Sequence, residues 1–363
     1  MKKPTLLFAN GRLPPPFSVG GDGISIHIFL EKLYQIGFNV IALGAIDPKN
    51  FVKPIKTIKN ELYKKGIKIQ YNAKKNHFKY KIPYRVKILP LEDIEKEVTK
   101  LIVQNGQDLI LLTQLELSPK LSQLAKAKNV KLIYFIHDAE PENLWTLKKI
   151  SGYKNARLIF NSRFTKNKFL SFSKNIQNAV IYPPLDREKY TLKSRTPRYI
   201  TMINPVKVKG GEIFYKLARA LPKTKFLAIK GWYDPIQDGI DFSKLENVTL
   251  WEKQSDIRKV FSVSKILLVP SQWEEGFGRI AAEALMAGVP VIASNSGGLK
   301  EAVGQTAILV NKFRSIKNWG DTVLKLIKTP KLQASLSSGG PKQASKFETQ
   351  RAIKKLVDII SSY

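Results

Sequence analysis

Two glutamates, Glu275 and Glu283, stand eight positions apart beside two glycines, Gly276 and Gly278, and this stretch carries residue types suited to ligand chemistry. The glycines let the backbone turn tightly and approach a ligand without an intervening side chain. A helix predicted to begin near Arg279 would point its free amides into the loop that carries Glu275, an arrangement suited to phosphate. One carboxylate could then address a sugar ring while the other holds a ribose diol. Two solvated carboxylates at a helix end would fit the same pair, and the spacing alone leaves both interpretations open.

The elements around this pair are predicted from its flanks. The apolar run 266–269 predicts a buried strand of a parallel sheet, ending at Pro270-Ser271. The helix that follows the glycines would pack Ile280, Ala284 and Leu285 inward. Residues 287–293, Ala-Gly-Val-Pro-Val-Ile-Ala, then enter the next strand.

The stretch 269–301 resembles the signature of glycosyltransferase family 4. The matching features are a strand ending in Pro-Ser, then Glu-Gly-Phe-Gly, a second Glu eight positions after the first, the Gly-Val-Pro-Val strand entry and Ser-Gly-Gly-Leu-Lys-Glu. The resemblance implies an α/β protein with the GT-B fold, in which two Rossmann-like domains face each other across a cleft. It also implies an enzyme of carbohydrate biosynthesis that moves a sugar, with retention of configuration, from a nucleotide-sugar to a glycan, lipid-linked or small-molecule acceptor. A UDP- or GDP-linked donor, no further cofactor and no obligatory metal are expected.

The same resemblance assigns roles in the second half of the chain. Glu275 is expected to hold a hydroxyl of the donor sugar and is classed as catalytic. Glu283 is expected to hold the ribose. The loop residues Gly276, Phe277 and Gly278 are assigned to donor binding with it.

The resemblance also assigns roles to residues that follow other strands. Gly21 lies in the loop after the first strand, where the family brings backbone close to the donor diphosphate. Lys209 matches a family lysine that neutralises the diphosphate, but Asn204 stands where the family has arginine, and Lys207 is expected to supply that charge. His137 follows the strand 131–136 and matches a histidine that contacts the donor sugar near the transferred carbon, so it is the second catalytic candidate.

A chain of 363 residues is long enough for two domains. Pro183-Pro184 ends an apolar strand and matches the linker of the family. We therefore expect an N-terminal acceptor-binding domain at 1–184 and a nucleotide-sugar-binding domain at 185–345. The tail 346–363 has one apolar helical face and is expected to cross back to the first domain. Alternating residues at 66–89 predict strands of a hairpin or sheet extension.

Composition limits the chemistry further. The chain has no cysteine, which excludes disulfides, thiolate metal sites and cysteine nucleophiles. No apolar run approaches the roughly 20 residues of a membrane-spanning helix. The first apolar run stops at Asn10, too early for a signal peptide, so a first strand and a cytoplasmic location are expected.

The net charge of +32 is concentrated in two segments. Residues 53–87 hold twelve Lys/Arg and one carboxylate, Glu61, while residues 144–185 hold eight Lys/Arg and no carboxylate. Two explanations stay open. A basic face could dock a peripheral enzyme on an anionic membrane at the cytoplasmic side, or bind an acidic glycan; alternatively, the lysines reflect a compositional bias and form a solvated surface.

Two other function classes share these features. A sugar-nucleotide epimerase would use the same cleft, and a basic nucleic-acid-binding module could keep the fold without activity. The intact pair of Glu275 and Glu283 argues against the second, so nucleic acid is not an expected partner.

Overall fold

The structure is a computed structural model that describes residues 3–17, 20–46 and 55–363. The chain forms two compact units. Unit 1 comprises the residues up to Asn161, Thr165–Tyr182 and Ala352–Tyr363; unit 2 comprises Ser162–Phe164 and Pro183–Arg351. Within the described ranges each unit is built on one sheet with helices packed against it, so the expected α/β class is confirmed.

The sheet of unit 1 has nine strands among the described residues, in the order β3-β4-β5-β2-β1-β6-β7-β8-β9. The strands are β1 Thr5–Ala9, β2 Asn39–Ile46, β3 Gln70–Asn72, β4 His77–Lys81, β5 Arg85–Pro90, β6 Leu109–Gln114, β7 Lys131–Ile136, β8 Ala156–Phe160 and β9 Gln177–Val180. Strand β4 runs antiparallel to β3 and β5, and the other pairs are parallel. The hairpin expected within 66–89 is therefore confirmed, at one edge of the sheet.

Helices cover both faces of this sheet, as expected of parallel strands that are apolar on both sides. Those of the first 182 residues are α1 Gly21–Gln35, α2 Ile55–Lys64, α3 Ile94–Asn105, α4 Ser118–Ala127, α5 Glu142–Lys149, α6 Arg163–Lys168 and α7 Leu170–Ser173. Alternate residues of β1 enter different cores: Leu6 and Phe8 lie in one, Leu7 and Ala9 in the other. The residues 18, 19, 53 and 54, which belong to the glycine loop and to the lysine-rich segment, lie outside the described residues.

Unit 2 has a six-stranded parallel sheet in the described part of the chain, in the order β12-β11-β10-β13-β14-β15. Its strands are β10 Tyr199–Ile203, β11 Phe226–Ile229, β12 Val248–Trp251, β13 Ser264–Val269, β14 Val291–Ser294 and β15 Ile308–Val310. Its helices are α8 Gly211–Ala220, α9 Arg258–Val263, α10 Arg279–Met286, α11 Leu299–Val303, α12 Ile316–Lys328 and α13 Pro330–Ala344. Because β10 and β13 are neighbours, the loops after their carboxyl ends meet at one edge.

The last helix, α14 Thr349–Ser361, begins in unit 2 and ends in unit 1. Its Ala352, Leu356 and Ile360 recur at three- and four-residue spacing and are buried in the unit 1 core that also contains Leu6 and Phe8. The tail's apolar helical face is thus covered by unit 1 side chains.

None of the helices in 3–17, 20–46 and 55–363 combines the length and apolar character needed to cross a bilayer. The same ranges contain no group of three or more His, Cys, Asp or Glu side chains arranged to hold a metal ion.

Candidate active site

The centre of the unit 2 site is an ion pair between Lys209 and Glu275. The Lys209 ammonium lies 2.7 Å from Oε1 of Glu275, and the hydroxyl of Ser271 donates to the same oxygen at 2.5 Å. Lys209 follows β10 and Glu275 follows β13, so the pair is assembled by the two neighbouring strand ends. The two side chains are only 16% and 12% exposed, so water screens this pair weakly.

Close backbone packing holds the two loops together. The amide of Gln272 donates to the carbonyl of Val208 at 3.0 Å. Gly210 has φ +89°, and a β-carbon there would lie 2.1 Å from the carbonyl oxygen of Pro270. Only glycine therefore fits beside Pro270, which places Lys209 directly against the loop of Glu275.

Two tryptophans flank the ammonium of Lys209. Its nitrogen lies 4.2 Å from the ring centroid of Trp273 and 5.0 Å from that of Trp232. Trp232 is held by Asn204, whose side-chain oxygen accepts from the Trp232 amide at 3.0 Å. Cation–π attraction and the carboxylate together restrict Lys209 to one position. Asn204, at the position where the resemblance implies arginine, thus holds the backbone of Trp232.

The electrostatics of Glu275 follow from these neighbours. Burial alone would raise the pKa of the Glu275 carboxyl, but the charge of Lys209 and hydrogen bonds from Lys209 and Ser271 hold it below the ordinary value. Glu275 is therefore ionised at neutral pH. It is available as a hydrogen-bond acceptor for a hydroxyl.

The glycine loop leads from Glu275 into α10. Gly278 has φ +93°, and a β-carbon there would lie 2.4 Å from Cδ2 of Leu299. Gly298 donates its amide to the Glu275 carbonyl at 2.7 Å. The Ser-Gly-Gly segment after β14 therefore packs directly against this loop. It leaves the first amides of α10 at the loop.

Phe277 does not present its ring to this loop. It is 2% exposed, and its ring packs edge-on against Phe347 at 4.9 Å between centroids. Its side chain belongs to the core of unit 2. Any role of Phe277 in binding a donor is confined to its backbone.

Glu283 belongs to a separate buried cluster. Its Oε1 accepts from Arg279 at 2.7 Å and from the hydroxyl of Tyr190 at 3.0 Å. Arg279 also donates to the carbonyl of Pro184 at 3.0 Å. Burial raises the pKa of Tyr190 above its ordinary range, and the charge of Glu283 adds to this. The bonds from Arg279 and Tyr190 both use Oε1.

The structure does not bring Lys207 to the pair of Lys209 and Glu275. Its side chain is 67% exposed, and its ammonium lies 3.6 Å from Glu212 at the start of α8. The Lys207 amide donates to Asp238 at 2.6 Å. The 3₁₀ turn of residues 207–209 gives the two lysines different carboxylate partners, and the diphosphate-binding role of Lys207 stays a prediction.

In unit 1, His137 follows β7 at the carboxyl edge of the sheet. Its Nε2 is buried and has no hydrogen-bond partner among the described residues. Burial lowers the pKa of His137, although Asp22 and Asp138 oppose that effect. The imidazole is therefore neutral near pH 7, with one buried nitrogen ready to bond a ligand.

Three charged residues lie at the same edge of unit 1. The guanidinium of Arg12, after β1, donates to Glu116 at 2.5 and 2.8 Å and lies 3.5 Å from Asp22. Asp22 is in the first turn of α1, which begins at Gly21 and presents its first amides there. Charged side chains other than His137 therefore contribute to the electrostatics of this edge.

The residues predicted from the sequence do not include Arg12, Asp22, Glu116, Tyr190 or Trp232. A signal existed for the first three, because each directly follows a strand or opens a helix at the carboxyl edge. For Tyr190 and Trp232 no local pattern predicts the contact, since each meets a partner far away in sequence.

Comparison with known proteins gives a family for part of the chain. Residues 184–343 match the model of the family described as "Glycosyl transferases group 1". The D-inositol 3-phosphate glycosyltransferase of Rhodococcus opacus is 36% identical over 101 residues, which are 27% of this chain and 22% of that protein. The chain matches less than a third of the length of the curated relatives found first.

Solved structures match the whole chain. HepE of Anabaena, in complex with UDP and glucose, has a TM-score of 0.74 and 17% identity, over 99% of this chain and 100% of that one. Sucrose-phosphate synthase of Thermosynechococcus elongatus has a TM-score of 0.78 and 17% identity, over 99% of both chains. At this identity the likeness concerns the fold, and it confirms the expected GT-B fold.

Proposed function

We propose that this chain, which has the GT-B fold and carries a group 1 glycosyl transferase domain at residues 184–343, transfers a sugar from a nucleotide-sugar donor to an acceptor. The observation that carries the proposal is the buried pair of Lys209 and Glu275 at the meeting point of two strand ends. One member is a cation and the other an ionised carboxylate, beside a helix that begins at Arg279. A sugar diphosphate offers both a charge and hydroxyls to such a site.

The leaving group determines what the site must stabilise. When the bond between the sugar C1 and the diphosphate oxygen breaks, negative charge grows on that oxygen. We assign its stabilisation to the Lys209 ammonium and to the free amides at the start of α10. Restraint by Trp232 and Trp273 supports this role, because a fixed cation needs no reorganisation during the reaction.

Donor recognition is divided between two carboxylates. Glu275 accepts a hydroxyl of the donor sugar, and Glu283 accepts a ribose hydroxyl. Gly276 and Gly278 bring backbone to the donor, and the proposed role of Gly21 is a backbone contact with the donor diphosphate. HepE has been solved with UDP and glucose and with UDP-glucose, so UDP-glucose is the first donor to test, followed by GDP-linked sugars.

His137 completes the proposed set. Its neutral ring and its buried, unbonded Nε2, noted above for the described ranges, support a contact with a hydroxyl of the transferred sugar. We propose that configuration is retained by a front-face reaction, in which the acceptor oxygen attacks on the side from which the diphosphate leaves. The acceptor proton then passes to the departing oxygen.

The acceptor is proposed to be a glycan or a lipid-linked saccharide. Its proposed place is unit 1, where lysines predominate in 55–87 and 144–185. An enzyme of this kind would work at the cytoplasmic face of an anionic membrane. Sedimentation with anionic and neutral vesicles at two salt concentrations tests that location independently of catalysis.

A transfer assay tests the function directly. The protein is incubated with a panel of UDP- and GDP-sugars, each with a set of saccharide acceptors, and the products are analysed by mass spectrometry. A new glycosidic product with the anomeric configuration of the donor supports the proposal. An epimerised donor without transfer indicates the alternative chemistry, and an unchanged panel contradicts both.

A further inference from the structure

A groove in unit 1 is lined by four lysines. It has a volume of about 360 Å³ and lies among β3, β4, β5 and α3. The lysines are Lys75, Lys79, Lys87 and Lys100, and the single carboxylate among the lining residues is Glu97. All of its lining residues belong to unit 1, so none of them is part of the unit 2 site described above.

The pairing of β4 with β5 places two lysines side by side in this groove. Lys79 of β4 pairs directly with Lys87 of β5, so the two side chains stand on one face of the sheet. Like charges opposite each other destabilise an antiparallel pair. Glu97 neutralises only Lys87, at 2.7 Å. In the part of the chain that the structure describes, Lys75, Lys79 and Lys100 have no carboxylate within ion-pair distance.

Neutral polar groups complete the lining. Gln70 pairs with Lys79 across β3 and β4, and Asn72 pairs with His77. Both amides line the groove. Amides hydrogen-bond hydroxyls, and lysines hold oxyanions. This set suits a sugar that carries a carboxylate or phosphate, and the concave shape favours it over a flat lipid surface.

The register places the groove near the reactive edge of unit 1. Lys87 pairs with Leu43, and Leu43 pairs with Ala9, the last residue of β1. Lys79 therefore stands three strands from β1 in the same row, roughly 14 Å away at about 4.8 Å per strand. The loop that follows Ala9 carries Arg12.

We propose that this groove binds an acidic saccharide unit of the acceptor, with carboxylate or phosphate as the recognised group. The acceptor role rests on the proposed function, whereas the binding itself does not. The inference makes the substrate class of the enzyme an anionic glycan.

The test compares two double variants with equal loss of charge. Lys79→Gln/Lys100→Gln alters the groove, and Lys64→Gln/Lys65→Gln alters two exposed lysines at the end of α2 that do not line it. Lys87 is left unchanged, because its removal would strand Glu97. Binding of trigalacturonate, glucose 6-phosphate and neutral maltotriose is measured by calorimetry without any donor.

We expect at least one acidic probe to bind the parent protein at least tenfold more tightly than maltotriose. The groove variant should lose tenfold or more of that affinity, and the α2 variant less than threefold. Equal losses in both variants, or no saturable binding of either acidic probe, would overturn the proposal. So would binding to phosphatidylglycerol vesicles that the groove variant alone loses, if neither saccharide binds.

Donor binding is measured in the same groove variant and should be unchanged. If the parent protein binds no nucleotide-sugar, the proposed function fails while the groove result stands. If the donor binds normally and the acidic probes do not, only the groove inference fails.

Discussion

Lys209 donates to Oε1 of Glu275 at 2.7 Å while its ammonium lies over the rings of Trp232 and Trp273. A lysine held on three sides by the protein itself is preorganised for a second anion. Its ammonium can shift part of its interaction from the carboxylate to a phosphate. Lys209 therefore stabilises this loop and is also the residue proposed to bind the donor.

The first prediction concerns the buried pair. Lys209→Met leaves Glu275 without its counter-charge, and breaking a buried pair in this way costs about 3–5 kcal/mol of unfolding free energy. The double variant Lys209→Met/Glu275→Gln should recover most of that stability, because no buried charge is then unpaired. Urea unfolding measures both. Neither variant should bind a nucleoside diphosphate as the parent does; a double variant with parental affinity would remove the pair from the donor site.

The second prediction separates the two partners of Glu283. Tyr190→Phe removes one hydrogen bond to Oε1 and should lower the unfolding free energy by about 1.5–3 kcal/mol, since the acceptor is charged. Affinity for nucleoside diphosphate should stay within threefold of the parent. Glu283→Gln should weaken that affinity at least tenfold, because it removes the carboxylate proposed to hold the ribose.

Stability alone cannot decide the role of Glu283, because Arg279 is buried against it. Calorimetric titration is therefore performed on protein shown to be folded by circular dichroism. Equal affinity in Glu283→Gln and Tyr190→Phe would place Glu283 among the purely structural residues.

The third prediction uses two glycines with positive φ. Gly278→Ala and Gly288→Ala should each cost about 1–3 kcal/mol, because alanine is strained in the left-handed region. Only Gly278 faces a close neighbour, Leu299, whereas the nearest atom to a β-carbon at Gly288 lies 3.4 Å away. Sugar transfer should fall at least tenfold in Gly278→Ala and little in Gly288→Ala. Similar turnover in the two variants would show that the loop tolerates displacement.

The fourth prediction concerns pH. Since burial lowers the pKa of His137, the unfolded chain binds a proton at this site more readily than the folded one. Stability should therefore rise with pH between the lowered pKa and about 6.5, the ordinary value of histidine. Denaturant unfolding of the parent and of His137→Asn across this window should show a difference that grows with pH in favour of the parent. Parallel curves would show that folding does not lower the pKa of His137 and would contradict the prediction.

Sequence patterns predicted the regular elements well. Apolar runs such as 266–269 became buried parallel strands, and the alternation within 66–89 became a hairpin. These patterns report burial on one or both faces of a strand, which is a local property. The donor roles of Glu275, Lys209 and His137 remain predictions that the structure makes physically specific.

The contacts around those residues could not be predicted in the same way. Arg279 is four residues from Glu283, but its bond to Tyr190 joins residues 89 positions apart. Lys207 and Lys209 are alike in sequence, and only the 3₁₀ turn between β10 and α8 sends one to Glu212 and the other to Glu275. The partner of each side chain depends on tertiary packing, which neither residue type nor sequence spacing indicates.

The most direct measurement of the central claim is calorimetric titration of the parent protein and of Lys209→Met/Glu275→Gln with UDP- and GDP-sugars. We predict that one of these donors binds the parent at a ratio of one to one and raises its stability by about 2.7 kcal/mol at 100 times the dissociation constant. The double variant should bind that donor at least tenfold more weakly. A parent protein that binds none of these donors, or a double variant that binds one as tightly as the parent, would contradict the account.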